Sequence, residues 1–146
     1  MIRPAASPMS VIASTTLIQS LRLFFMLKSL KNFANNGRVS PALAKIVGIV
    51  GICIVGKASD EGTLEPLEKC RGEARAIKKI TDFLAESGLN KGRVCISHCQ
   101  NESGAIALKH LIQDKLSSVQ IDINECRGLC SFYAEKGGFL VGYEKF

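Results

Sequence analysis

Two polar constellations and one cysteine–histidine set hold the side chains with which this 146-residue chain could do chemistry. The first is Asn35-Asn36-Gly37-Arg38-Val39-Ser40. It places a guanidinium in a glycine-containing turn just ahead of a helix start. Free backbone N–H groups, the helix dipole and Arg38 together suit an anion there. The same residues also read as a surface loop with a capping serine. The second runs from Cys126-Arg127-Gly128 through Ser131-Phe132-Tyr133 to Glu135-Lys136-Gly137-Gly138. It mixes hydroxyls, rings, charges and glycines before a closing strand. Such a loop can line a pocket, because glycine lets a ligand approach the backbone. It also reads as a connection held by an aromatic anchor.

Cys95-x-x-His98-Cys99 and Cys126-x-x-x-Cys130 fall near zinc-ligand spacings. Alternation along a strand turns Cys95 and His98 to opposite faces, however, and no C-x-x-C knuckle is present. Buried thiols are therefore the plainer reading than a metal or redox site. His110 falls in the polar stripe of its helix. No G-x-S-x-G elbow is visible, and Gly48, Gly51 and Gly56 fit no phosphate-loop or dinucleotide fingerprint.

The bulk properties narrow the partners. Nineteen Lys+Arg against thirteen Asp+Glu give a net charge of +6, which favours anions. The basic residues are scattered apart from Arg75, Lys78 and Lys79, and there is no Trp, which argues against nucleic acid. The longest apolar run, 43–56, carries Lys45 and is too short to span a bilayer. With 47% hydrophobic residues the chain needs no disulfides for its core, so its six cysteines read as reduced and the protein as cytoplasmic. Residues 1–21 hold a single charge, Arg3, and no periodicity. Gln19 and Arg22 interrupt the apolar stretch that would make a secretory signal, so the segment reads as a disordered leader.

The elements that must position these side chains alternate from residue 22 onward. The pattern predicts a strand over 23–27, a short helix over 28–34 and a buried, apolar helix over 40–50. A hairpin follows, with strands over 52–57 and 63–69. Ile77, Ile80 and Leu84 mark a helix over 73–87 that Gly88 stops. A strand over 93–97 precedes a helix capped by Asn101, with Leu108, Leu111 and Ile112 inward. A strand over 119–123, a helical turn over 129–134 and a strand over 138–143 complete the chain. Six strands and about four helices make an α/β fold: a two-layer α/β domain with a mixed six-stranded sheet.

Taken in order, these segments resemble the DegV family of fatty-acid-binding proteins. Asn36-Gly37-Arg38-Val39-Ser40-Pro41 is similar to the family's "G-G-R-I-S" segment. Leu64-Glu65-Pro66-Leu67-Glu68-Lys69-Cys70-Arg71-Gly72 is similar to its "P-L-E-K-x-R-G" hairpin, and Val94-Cys95-Ile96-Ser97-His98-Cys99 to its "V-A-I-S-H-A" strand. The tail resembles its closing "G-x-H-x-G-P-G-x-x-G" loop.

The resemblance covers 22–146 and implies the second, C-terminal lobe of a two-lobe protein, with no counterpart of the N-terminal lobe in this chain. It implies a long-chain fatty acid held between lobes and presented to a separate fatty acid kinase. The chain would then be a carrier rather than an enzyme, with no cofactor. By alignment Tyr133 stands at the family's head-group histidine, and Glu135-Lys136 replaces "G-P". A phenol can donate a hydrogen bond to a carboxylate but brings no positive charge. The resemblance thus points to Tyr133 and Ser131 near the head group, with Gly137 and Gly138 shaping their loop, and Arg38 is the candidate contact for an anion, either on the ligand or on the kinase face. The competing readings are a metal- or thiol-dependent protein using Cys95, His98, Cys99, Cys126 and Cys130, or a non-functional fragment.

Overall fold

Strands separated by more than a hundred residues lie side by side at the centre of the sheet. In the computed structural model, which describes residues 20–39, 43, 46 and 49–145, β1 (Leu21–Leu27) pairs antiparallel with β2 (Ile52–Ala58) and with β6 (Phe139–Glu144). β3 (Leu64–Arg71) returns beside β2 as the expected hairpin. β4 (Gly92–His98) lies antiparallel to β6 and parallel to β5 (Val119–Glu125). The sheet is six-stranded and mixed, in the order β3-β2-β1-β6-β4-β5.

Four helices complete the described elements: α1 (Lys31–Asn35), α2 (Glu73–Glu86), α3 (Glu102–Lys115) and α4 (Gly128–Ala134). The two-residue period of the strands sorts their side chains into two cores. Phe24, Met26, Val55, Val94, Ile96, Phe139 and Val141 face α2 and α3, where they meet Ile77, Ile80, Leu84, Leu108 and Ile112. Phe25, Leu27 and Ile54 face the other way, with Leu30, Ala134 and the partly buried Phe33, Leu43, Ile46, Leu64 and Leu140. Gly56 is required on this second side: a Cβ there would strike the Glu65 carbonyl and the Phe25 ring. The register slips at the same point, between Val55 and Gly56.

Several expectations need adjusting. The short helix starts at Lys31 rather than residue 28. Leu111, expected inward, is 39% exposed, because α3 packs on a stripe of Gly104, Ala105, Leu108 and Ile112. Gly104 sets that rotation, since the Phe139 ring comes within 2.6 Å of where its Cβ would stand. The helix expected over 40–50 falls mostly outside the described residues. At its end Ile49 and Val50 are exposed, not buried. The leader expected over 1–21 lies outside the described residues except Ser20 and Leu21, and Leu21 already opens β1.

Candidate functional site

The second face of the sheet carries the site. β1 ends at Leu27, and α1 follows with Leu30 turned into the second core and Phe33 against it. Arg38 is tied back to this helix by its own N–H, which donates to the Phe33 carbonyl at 2.9 Å. From the far end of the chain, α4 brings Tyr133 to the same place. The Tyr133 ring lies 4.5 Å from the Phe33 ring centroid to centroid, with Phe132 edge-on at 5.1 Å. The Arg38 guanidinium carbon lies 5.8 Å from the centre of the Tyr133 ring, a cation–π arrangement. The fold therefore brings the two polar constellations together.

Arg38 also lines a cavity of about 570 Å³. Leu43, Ile46, Leu64, Pro66 and Leu67 give that cavity apolar walls, while Glu68 and Lys69 bring charge to it. This is a mostly apolar space with a guanidinium among its lining residues, within the size range of small-molecule sites. The cavity residues of β3 and the ring of Phe33 were not singled out from the sequence. Leu64 and Leu67 straddle Pro66 on an edge strand, where apolar side chains have no sheet partner to cover them, and that was the available signal.

Behind Tyr133 the α4–β6 connection is pinned closely. Gly137 N–H donates to the Cys99 carbonyl at 2.7 Å, and Cys99 N–H donates to the Gly138 carbonyl at 3.0 Å. Asn101, which caps α3 by accepting from Gly104 N–H at 3.2 Å, donates through Nδ2 to the Gly137 carbonyl at 3.1 Å and to Glu73 Oε2 at 3.1 Å. Lys28 completes the network by pairing with Glu73. Its stem lies 2.7 Å from where a Gly137 Cβ would stand, and Gly137 has φ +94°, so no other residue fits easily. Gly138 is buried, hard against the Ala134 carbonyl.

Of the five residues expected at the site, Arg38 and Tyr133 meet directly, and Gly137 and Gly138 shape the loop behind them. Ser131 sits two positions before Tyr133, which on a helix turns it to a different side. Its hydroxyl donates to the Gly128 carbonyl at 2.8 Å, leaving its lone pairs as acceptors.

The cysteine–histidine set is divided by the fold. His98 is buried on the α2–α3 side of β4, whereas Cys95 is half-buried on the opposite side, where Asn124 Nδ2 lies 3.2 Å from its sulfur. His98 Nδ1 accepts from the Asn101 N–H at 3.1 Å. That bond engages the Nδ1 lone pair, which a metal would otherwise use. Cys99 and Cys126 do lie near one another beneath α4. Burial pushes both thiols up, Cys126 to about 11, with Cys99, Cys130 and Glu125 adding to it. Metal ligation needs the thiolate, which this setting disfavours. Among the described residues no group of three or more His, Cys, Asp or Glu side chains is gathered to hold a metal ion. Also among them, no helix is long and apolar enough to cross a membrane.

The chain is similar to known proteins over most of its length. A family model described as "Uncharacterised protein, DegV family" matches residues 9–145. A DegV domain-containing protein of Streptococcus pyogenes is 40% identical over 126 residues, covering 86% of this chain and 45% of that protein. One from Streptococcus pneumoniae is 39% identical over 132 residues, covering 90% and 47%. Among solved structures, the Streptococcus pneumoniae Fatty Acid Kinase (Fak) B3 protein loaded with linoleic acid matches with a TM-score of 0.89 at 37% identity, over 97% of this chain and 50% of that one. A DegV family protein from Eubacterium eligens loaded with heptadecanoic acid matches with a TM-score of 0.88 at 34% identity, over 97% and 51%. The chain thus spans about half the length of these relatives.

Proposed function

This chain belongs to the DegV family, and we propose that it binds a long-chain fatty acid as the C-terminal lobe of a two-lobe carrier. The assembled carrier presents the acid to a separate fatty acid kinase in the cytoplasm, and the kinase, not the carrier, performs the catalysis. The carboxylate lies at Arg38 and Tyr133, with Ser131 as a further polar contact and Gly137 and Gly138 holding the loop. The acyl chain runs along the cavity toward Leu43, Ile46, Leu64 and Leu67.

One observation carries this reading: a guanidinium stacked on a phenol lines an apolar cavity of about 570 Å³. A fatty acid has that polarity, one anionic end and a long tail. The guanidinium supplies charge, and the phenol supplies a hydrogen bond in a fixed direction. Each buried methylene of the tail contributes about 0.8 kcal/mol. Two relatives that match over about half their length were solved with linoleic acid and with heptadecanoic acid. The name of the first supports the kinase as partner.

The test is mass spectrometry of an organic extract from the purified, folded chain. Roughly one fatty acid per chain is expected for a site of this size. An extract empty of lipid, with the same protein also failing to take up added oleate, would sink binding by this lobe.

A further inference from the structure

Glu135 occupies a backbone conformation that side chains avoid. It has φ +54° and ψ 169° at the C-terminal end of α4, close to a region that is essentially reserved for glycine. A glutamate held there needs a compensating contact, and the structure supplies one at long range. Glu135 Oε2 accepts from the backbone N–H of Asn32 at 3.1 Å, 103 residues away in the chain. Asn32 returns the bond: its Nδ2 donates to the Phe132 carbonyl at 2.7 Å. Leu30, at the N-cap position of α1, has no side-chain cap of its own, so Glu135 satisfies that amide from the other end of the chain.

The two bonds straddle Tyr133. On one side is α1, which carries Phe33 and, through the Arg38 N–H to Phe33 carbonyl bond, also fixes Arg38. On the other is α4, which carries Tyr133. α1 is a bracket of five residues, too short to hold its place by helix propensity alone. Besides the Asn32 bonds, the bracket meets α4 through apolar and ring contacts, Leu30 with Ala134 in the second core and Phe33 against Tyr133, which fix its direction less sharply than hydrogen bonds do.

We propose that Glu135 is a positioning residue, which straps α1 to α4 and so sets Tyr133 against Phe33 and beneath Arg38. For its ligand arm this inference rests on the fatty-acid reading; for its geometric arm it does not. Glu135 itself touches no ligand. It fixes the distance between a phenol and a guanidinium that must act on the same carboxylate.

Three variants of the full chain test it: Glu135→Gly, Glu135→Gln and Asn32→Ala. Two readouts are used: the ring resonances of tyrosine, and affinity for oleate. The chain has two tyrosines. Tyr143 stacks on Phe24 in the first core and serves as the internal reference for folding. Glu135→Gly relieves the backbone strain while deleting the carboxylate, so its thermal midpoint is expected to hold or rise. Its Tyr133 signals should nevertheless shift and broaden, and its oleate affinity should fall about tenfold, the scale of one lost hydrogen bond to a charged group. Glu135→Gln keeps an acceptor and should restore both readouts. Asn32→Ala should shift Tyr133 in the same sense.

The proposal is overturned if Glu135→Gly leaves the Tyr133 signals in place, or if Glu135→Gln behaves like Glu135→Gly. It is also overturned if Tyr143 moves as much as Tyr133, which would mark a merely structural role. Should the wild-type chain bind no oleate while Tyr133 moves in Glu135→Gly and returns in Glu135→Gln, the strap stands and the fatty-acid reading fails.

Discussion

Replacing Arg38 separates the two things that the guanidinium is argued to do. It lies 5.8 Å from the Tyr133 ring centre, and Arg38 is an exposed residue. An exposed cation–π contact contributes about 0.5–1 kcal/mol. A hydrogen bond between a guanidinium and a ligand carboxylate contributes about 1.5–3 kcal/mol. The first is made with or without ligand and so bears on the fold, whereas Arg38→Ala loses the second on binding, about 1.5–3 kcal/mol, so oleate affinity should fall roughly 10- to 150-fold. Arg38→Lys keeps the charge but loses the planar fork that can grip a carboxylate, and should lose about 1 kcal/mol, or about fivefold. The methyl ester of the same acid provides the control, because it keeps the tail and removes the charge. Wild-type protein should prefer acid over ester by the carboxylate term, and Arg38→Ala should bind the two nearly alike. Displacement of a fluorescent fatty acid at fixed ionic strength measures all four combinations, and their cycle isolates the coupling. If Arg38→Ala still discriminates acid from ester as wild type does, Arg38 does not hold the head group, and the placement of the carboxylate is refuted.

Two further outcomes follow from the titrating groups. Burial raises the Cys126 thiol to about 11, against an ordinary value of 9.0, whereas Cys130 is exposed on α4. Iodoacetamide at pH 7.5, followed by peptide mapping, should label Cys130 first and leave Cys126 about a hundredfold slower than an unshifted thiol; early labelling of Cys126 would contradict its burial. Asp82 is held below its ordinary 3.8 by the hydrogen bond and charge of Lys115, whose Nζ is 2.6 Å away, with Lys78 and Lys79 adding to the effect. A depressed carboxylate stabilises the fold above its unfolded pKa, and that stability is lost as the pH falls through the folded value. Because the pair is largely solvated, Asp82→Asn should cost under about 1 kcal/mol at pH 7 by urea titration, and nothing in strong acid; an equal cost at both would show that the effect is not ionic.

The local elements were legible in the sequence because local physics determines them. Ile77, Ile80 and Leu84 recur at helical spacing, and α2 spans Glu73–Glu86 as that spacing requires. Asn101 does cap α3, and the expected hairpin does form between β2 and β3. Leu111 was misplaced because periodicity shows that a face exists but not its rotation. That rotation depends on Gly104 meeting Phe139, a contact that no local window contains. The order of the strands was hidden for the same reason, since β1 finds its second partner in β6 at the far end of the chain.

The site shows where such reading stops. Arg38 and Tyr133 each stood out as a candidate, but in separate loops with separate bland explanations. Their meeting depends on a strand pairing, β1 with β6, which brings the start of α1 next to the end of α4. Glu135 was marked in the sequence only as part of the Glu135-Lys136 pair that departs from the family's "G-P". Its role becomes visible only once φ +54° is known and its carboxylate is found on Asn32. The asymmetry of the sheet completes the argument. One face is closed by two fourteen-residue helices, whose buried stripes fill a continuous core. Among the described residues the other carries the five- and seven-residue helices α1 and α4 together with Leu43 and Ile46, and Leu67, Leu129 and Phe132 are 39%, 70% and 46% exposed. Stability therefore rests with the first face. The second can be shaped by a few polar bonds around an apolar cavity, as a binding surface requires.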